Sequence, residues 1–195
     1  MKLMFNRARS KGLLTFIAAS LLVSTAAPVR AAFHLWTLSE IYSDASGSLQ
    51  FIELVDNVGG QNFVGTHTFS LSNSGNTITH SFTFPSNLPG DAVGTHLLLG
   101  TAGLQAAGGP TPDFIIPNNF IFTAGGSISF FNASGSFAAL PTDGNLSFNF
   151  LTASTGANTP ENSAGQIGHV TVVPEPASAI LVLAGAAAFA LFRRK

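Results

Sequence analysis

The chain contains no cysteine, and its central part contains no basic residue. Without cysteine there are no disulfides, no thiol chemistry and no thiolate metal ligands, so stability must come from packing and hydrogen bonds. All eight Lys and Arg residues lie in the first 30 or the last three positions, which leaves residues 32–173 without a cation. Because phosphate contacts depend on Lys and Arg, binding to nucleic acid is excluded.

Acidic residues, by contrast, are spread through this central part. Eight are present: Glu40, Asp44, Glu53, Asp56, Asp91, Asp113, Asp143 and Glu161. Residues 32–173 therefore carry a formal charge of −8 with neutral histidines, which the whole-chain value of −1 conceals. Any buried carboxylate must be stabilised by hydrogen bonds, a metal ion or a shifted pKa, since no Lys or Arg partner exists there.

The first 31 residues have the pattern of a secretory signal peptide. Four basic residues fall within the first 11 positions, and an uncharged apolar run follows from 13 to 23. Small residues then predict cleavage by signal peptidase after Ala31, with Ala32 as the alternative. The apolar run is too short for a membrane anchor, so export and removal of this segment are expected.

The last 23 residues combine three features: Val173-Pro174-Glu175-Pro176, an uncharged run over 177–192, and Arg193-Arg194-Lys195. As a helix the run would be about 24 Å long. That is slightly shorter than the roughly 30 Å hydrocarbon core, a difference that snorkelling or bilayer thinning accommodates. We predict a transmembrane helix over 177–192 whose basic end stays in the cytoplasm.

This combination resembles a PEP-CTERM sorting signal. The resemblance implies an exosortase-type membrane enzyme that removes the tail near the Pro-Glu-Pro triplet. It also implies a Gram-negative bacterium that makes exopolysaccharide. The protein would pass through the inner membrane transiently and end at the cell surface or in the extracellular matrix of a biofilm.

Between the two ends, short apolar runs alternate with turn residues, and no helical period of ten residues is present. Residues 32–173 contain 14 Phe and 18 Gly; Phe favours strands and Gly favours turns. We predict an all-β sandwich of about eight or nine short strands. The predicted strands are 34–42, 49–55, 66–72, 77–84, 95–99, 113–116, 120–122, 127–131 and 146–151, with 169–173 as either a last strand or a linker.

These patterns divide the chain into four parts. Residues 1–31 are the signal peptide, 32–151 the sandwich, 152–172 a polar linker and 173–195 the sorting signal. Residues 104–107 are expected to form one helical turn in the loosest loop.

Part of the sandwich also resembles a lamin-tail-like domain. The similarity covers roughly residues 33–135 and is carried by Ser39-Glu40-Ile41, Glu53-Leu54, Phe63 to Thr66 and the turn Pro89-Gly90. The chain departs from the family pattern in lacking a Trp shortly after Gly65. This resemblance implies an immunoglobulin-like sandwich that acts as a recognition or accessory module.

Candidate catalytic chemistry is sparse. Glu40 and Glu53 lie on consecutive predicted strands and form a candidate acid/base pair. Hydrogen bonding to backbone and hydroxyl groups is the favoured alternative, because no nucleophile or substrate-orienting cation accompanies them. We therefore predict that the protein is not an enzyme and that it needs no cofactor.

Metal and ligand signals are weak. Asp44, Glu53 and Asp56 are calcium candidates, although their spacing does not match an EF-hand loop. His80 shares an apolar face with two phenylalanines, which favours a packed histidine over a zinc ligand. Trp36 and Tyr42 could stack on a sugar ring but are more often core residues at such positions.

The function predicted from these features is that of a non-enzymatic exported structural or interaction protein of the cell surface or exopolysaccharide matrix. The alternative is a surface module that binds polysaccharide or calcium. Exopolysaccharide is thus a candidate partner, beside the exosortase-type enzyme and signal peptidase.

Overall fold

The computed structural model describes residues 35–90 and 92–172. Within these ranges the chain forms an all-β sandwich of two sheets, which confirms the predicted fold class. Ten strands are described: β1 (Trp36–Ser43), β2 (Gln50–Asp56), β3 (Thr68–Asn73), β4 (Thr79–Thr83), β5 (His96–Gly100), β6 (Phe114–Ile115), β7 (Gly126–Phe130), β8 (Ala133–Phe137), β9 (Leu146–Asn149) and β10 (Ser154–Ala157). The expected helical turn is present as a short 3₁₀ helix, Gln105–Ala107.

The two sheets differ in size. The larger has six strands in the order β10-β9-β1-β2-β5-β6, and the smaller has four in the order β4-β3-β7-β8. Neighbouring strands are antiparallel except for β5 and β6, which are parallel. The β1/β2 hairpin lies in the middle of the large sheet and contains a register shift between Leu38 and Glu40.

Every residue of β2 is buried, as its almost continuous apolar sequence predicts for a strand covered on both faces. Side chains alternate along a strand, so Ile52 and Leu54 enter the main core between the sheets. Phe51 points to the opposite face, where it joins a second apolar cluster with Tyr42 and Val170. The outer face of the large sheet is therefore covered by later parts of the chain.

The structure differs from the predicted set at three strands, one that is absent and two that are additional. Residues 120–122 are not a strand, since the Ile121 backbone N–H is bonded to the side chain of Gln50 at 3.0 Å instead of to a neighbouring strand. β8 and β10 were not predicted, because Ser, Gly, Thr and Ala carry little apolar periodicity. Residues 169–172, for which a last strand and a linker were both left open, form no strand.

The predicted segments at the two ends lie largely beyond the described residues. The signal peptide 1–31 and the transmembrane helix 177–192 both fall outside them. Among residues 35–90 and 92–172, no helix has the length and apolar character needed to cross a membrane. The predicted linker 152–172 contains β10, which pairs with β9, and the fully buried Val170; the domain boundaries stay a prediction.

Candidate functional site

The structure brings the two glutamates of the predicted acid/base pair together. Because of the register shift in β1, Glu40 lies directly opposite Glu53. Each is only 3% exposed. They share the outer face of the large sheet with His96, in a region where residues 32–173 supply no Lys or Arg.

Glu40 is held by β9 and by the segment that follows β10. The hydroxyl of Ser147 donates a hydrogen bond to Glu40 Oε1, and the Thr159 N–H donates to the same oxygen at 3.1 Å. Burial raises the pKa of Glu40 above its ordinary value, and these hydrogen bonds oppose that rise. The nearby charge of Glu53 adds to the rise.

Glu53 is the centre of a short polar chain. The Nδ1 atom of His96 is hydrogen-bonded to Glu53 Oε1 at 2.8 Å, and the Glu161 N–H donates to Glu53 Oε2 at 2.9 Å. The other His96 nitrogen, Nε2, lies 3.4 Å from Glu161 Oε2. The hydrogen bond that His96 makes to the Glu53 carboxylate raises the pKa of His96.

A third carboxylate, Asp113, precedes β6 at the edge of the same sheet. Its Oδ2 accepts hydrogen bonds from the N–H of Leu98 at 2.8 Å and of Ser163 at 3.0 Å. The Ser163 hydroxyl donates to Oδ1. Burial raises the pKa of Asp113, against the effect of these bonds.

Residues 158–163, here called the strap, connect the three carboxylates. Alternate strap residues donate their backbone N–H groups in turn: Thr159 to Glu40, Glu161 to Glu53 and Ser163 to Asp113. Successive N–H groups of an extended chain point to opposite sides, so one edge of the strap faces the acids. The acids therefore serve as hydrogen-bond acceptors for a segment that belongs to neither of the two described sheets.

This arrangement favours a structural role for Glu40 and Glu53. Their carboxylates are buried and are bonded to backbone, hydroxyl and imidazole groups, which is the alternative that the sequence favoured. The strap residues were not identified from the sequence. The sequence does show a set of acids without a basic partner. It does not indicate which backbone N–H groups bond to them in place of that partner.

The three calcium candidates are not brought together. Asp44 follows β1 and accepts hydrogen bonds from the Ser48 hydroxyl at 3.1 Å and the Leu49 N–H at 3.1 Å. Asp56 ends β2 at the other end of the hairpin, where its Oδ1 accepts two backbone N–H groups at 2.9 and 2.8 Å. In the described part of the chain, no three His, Asp or Glu side chains are grouped to hold a metal ion.

The aromatic candidates are core residues. Trp36 is 3% exposed and donates its indole N–H to the Gln61 carbonyl at 3.0 Å. Tyr42 is fully buried and donates to the Gly144 carbonyl at 3.2 Å. Burial, together with the charges of Asp44 and Asp143, raises the pKa of Tyr42 to about 12. Neither ring is available to stack on a sugar.

His80 is packed rather than exposed to a metal. Its Nδ1 atom is hydrogen-bonded to the Phe120 carbonyl at 2.8 Å. Its ring stacks on Phe122 with centroids 4.4 Å apart. This is the packed histidine that the apolar face of β4 predicted.

A regular array of hydroxyls covers the outer face of the small sheet; we call it the hydroxyl face. Its ten residues are Thr68, Ser70, Ser72, Thr79, Ser81, Thr83, Ser127, Ser129, Ser134 and Ser136. They alternate with inward-pointing apolar residues and are exposed or half-buried. Neighbouring strands of a sheet lie about 4.8 Å apart, so the hydroxyls form rows at that spacing. None of the ten residues is charged.

The chain leaves the sandwich beside a cavity of about 590 Å³, here called the exit cavity. Residues 32–173 are here called the body. Thr171 and Val172 line the cavity and are bonded to other parts of the body: the Thr171 N–H donates to the Ala107 carbonyl at 3.0 Å, and the Val172 N–H donates to the Gly144 carbonyl at 3.4 Å. The other lining residues are Asp44, Ala45, Ser46, Ser48, Leu49, Gly103, Ala106, Ala107, Thr142, Asp143 and Gly144.

Comparison with known families finds a match to the PEP-CTERM protein-sorting motif at residues 172–195. The chain therefore carries this motif, which makes it an exported protein that is processed at the membrane by exosortase, a membrane enzyme. No curated protein and no solved structure matches the chain. The resemblance to a lamin-tail-like domain stays a prediction.

Proposed function

We propose that this chain is a non-enzymatic structural or interaction protein of the bacterial cell surface or exopolysaccharide matrix. The sorting motif supports delivery to that location after processing. The cell would be Gram-negative, with the protein passing through the inner membrane as an intermediate. Signal peptidase would remove residues 1–31 and the exosortase would remove the tail.

The burial of Glu40 and Glu53 beneath the strap is the observation that carries the non-enzymatic part of this proposal. A general acid or base must come within hydrogen-bond reach of the substrate proton. Here each carboxylate is 3% exposed and accepts backbone N–H groups from the strap. Glu53 is also bonded to His96, so the pair serves to fix the strap and not to contact a substrate.

Delivery is tested by following the full chain in cells with and without their exosortase. The mature protein should reach the surface with a mass that lacks the tail, and this should depend on the enzyme. Replacing both prolines of the triplet, Pro174→Ala with Pro176→Ala, should leave the precursor uncut. Recovery of Lys195 in the surface protein by mass spectrometry would contradict the proposal.

Absence of catalysis is tested with a panel of glycoside, ester and peptide substrates. The purified body should give no turnover above that of the Glu53→Gln variant. Turnover that disappears in Glu53→Gln, while the variant keeps its fold, would show that the body is an enzyme.

A second candidate function, binding of a neutral polysaccharide, is favoured by the hydroxyl face. Ten hydroxyl side chains at regular spacing offer donors and acceptors that match a polyol surface. The face is uncharged in a body of formal charge −8. An acidic polymer is disfavoured by the overall charge, whereas a neutral one is not repelled.

Retention on an insoluble neutral glucan separates the two candidates. The parent body should be retained if the second candidate is correct, and Ser81→Glu with Ser129→Glu should abolish retention by placing charges within the face. Thr155→Glu on β10, an exposed position of the other sheet, is the matched control. Equal retention of all three proteins, or of none, would leave the structural role as the better proposal.

A further inference from the structure

The folded body extends up to the first residue of the sorting motif. Val170 is fully buried, and the N–H groups of Thr171 and Val172 are bonded to the body. The motif begins at Val172. The described part of the chain and the sorting motif therefore adjoin at Val172.

This closeness limits where the enzyme can act. The Pro174 to Pro176 triplet follows Val172 by two to four residues, and an extended chain covers at most about 3.6 Å per residue. The triplet thus lies within about 14 Å of the exit cavity. An enzyme that acts near the triplet therefore works within about this distance of the rim of the cavity.

The cavity has a defined chemical character. Asp143 is exposed on its wall, whereas Asp44 also lines the cavity but is 5% exposed and accepts hydrogen bonds from Ser46 and Ser48. Leu49 and Ala107 supply an apolar surface beside them. Residues 32–173 contain no Lys or Arg to neutralise the two acids. Their charges act together on one buried group, because both raise the pKa of the Tyr42 hydroxyl.

We propose that the exit cavity is a docking surface for a basic surface region of the exosortase, which would bind it in addition to the sorting motif. The inference deepens the processing step of the proposed function and rests on it. The sorting motif, which begins at Val172, brings the enzyme close to the cavity. The exposed carboxylate of Asp143 complements Lys and Arg side chains on the partner, and the buried charge of Asp44 adds to the negative potential there.

The test compares processing rates of full-length variants in cells that contain the exosortase. Ala106→Lys and Thr142→Lys place a cation on the exposed rim of the cavity. Each should slow conversion of the precursor by about fivefold or more, because like charges then face each other across the contact. Thr83→Lys on the hydroxyl face makes a cationic change elsewhere and should convert at the parental rate.

Ala106→Glu separates charge from bulk at the same position. It should convert at least as fast as the parent, since it strengthens the acidic character of the rim. If Ala106→Glu slows conversion as much as Ala106→Lys, a basic partner is ruled out. Melting temperatures of the purified bodies identify any variant that fails through unfolding. If Ala106→Lys is such a variant, the conversion rate of Thr142→Lys tests the proposal in its place.

A ten-residue Gly/Ser insertion between Thr171 and Val172, which leaves the sorting motif whole, tests the role of distance. If the cavity recruits the enzyme, the insertion should slow conversion and reduce the effect of Ala106→Lys. Faster conversion after the insertion would mean that the body obstructs the enzyme, and unchanged conversion of both lysine variants would also overturn the proposal. Failure of the proposed function is separate: it would appear as continued cutting of the Pro174→Ala, Pro176→Ala precursor.

Discussion

Glu40 and Glu53 face each other across β1 and β2, both buried, and each accepts a backbone N–H from the strap. Two buried carboxylates at directly paired positions raise the free energy of the folded state when both are charged. Hydrogen bonds from Ser147 and His96 offset part of this effect. The stability of the body therefore depends on how many protons this face of the sheet holds.

We expect the body to be more stable at mildly acidic pH than at alkaline pH. The pKa values of Glu40 and Asp113 are raised from their ordinary values of 4.5 and 3.8, and that of His96 from 6.5. Each group binds its proton more tightly in the folded state, so its contribution is fully present below the ordinary pKa and is lost as pH rises through the raised value.

The contribution of Asp143 to stability depends on pH in the opposite direction, because backbone hydrogen bonds lower its pKa. This contribution is lost as pH falls below 3.8. Thermal melts should therefore show a maximum between about pH 4 and pH 6 and a decline towards pH 9. His96→Gln should flatten the decline above pH 6. A melting temperature that rises from pH 5 to pH 8.5 would contradict this account.

Ser147→Ala should destabilise the body. Ser147 is 2% exposed, and its hydroxyl donates to the Glu40 carboxylate, so the substitution leaves a buried charged group with one donor fewer. Loss of a hydrogen bond to a charged group corresponds to about 1.5–3 kcal/mol. Denaturant unfolding at neutral pH measures this change.

Ser136→Ala on the exposed hydroxyl face is the matched control and should change the free energy of unfolding by less than about 0.5 kcal/mol. In Ser147→Ala the charged carboxylate of Glu40 has one hydrogen-bond donor fewer, and protonation removes that charge. The loss in the free energy of unfolding should therefore shrink at acidic pH. Equal stability of the two variants would show that the buried hydrogen bond contributes nothing measurable.

Val170→Ala tests whether residues 152–172 belong to the folded body. Val170 is fully buried against Tyr42, Phe51 and Leu98. Removing two buried methyl groups should lower the free energy of unfolding by about 2 kcal/mol, through lost burial and the cavity that remains. If the segment is an independent linker, the free energy of unfolding will stay at the parental value.

Thr171→Ala, one residue further on and exposed, is the control for Val170→Ala. Its backbone N–H keeps the bond to Ala107, so its stability should match that of the parent. A loss in Thr171→Ala equal to that in Val170→Ala would assign the effect to the backbone and not to the apolar contact.

Calcium should have little effect on the melting temperature. Asp44 and Asp56 lie at opposite ends of the β1/β2 hairpin, and each is bonded to nearby backbone N–H groups. Melts in excess calcium and in chelator should coincide within the error of the measurement. A rise in calcium that is lost in Asp44→Asn would place a calcium site at the turn after β1.

The sequence predicted the core strands well where apolar residues dominate. β2 was expected to be buried on both faces, and β4 to alternate, because apolar side chains carry the signal of the strand period. β8 and β10 were missed because Ser, Thr, Gly and Ala are compatible with both strand and loop. Their pairing depends on neighbours that are distant in the chain.

By itself the sequence determined the class of the fold, the sorting motif and the absence of any cation in the body, since these follow from composition and local pattern. Only the tertiary structure decided how the acids are accommodated. Glu40, Glu53 and Asp113 lie far apart in the chain, and their shared partner, the strap, has no recognisable pattern of its own. Hydrogen bonds between such distant segments form only when the sheet has aligned them.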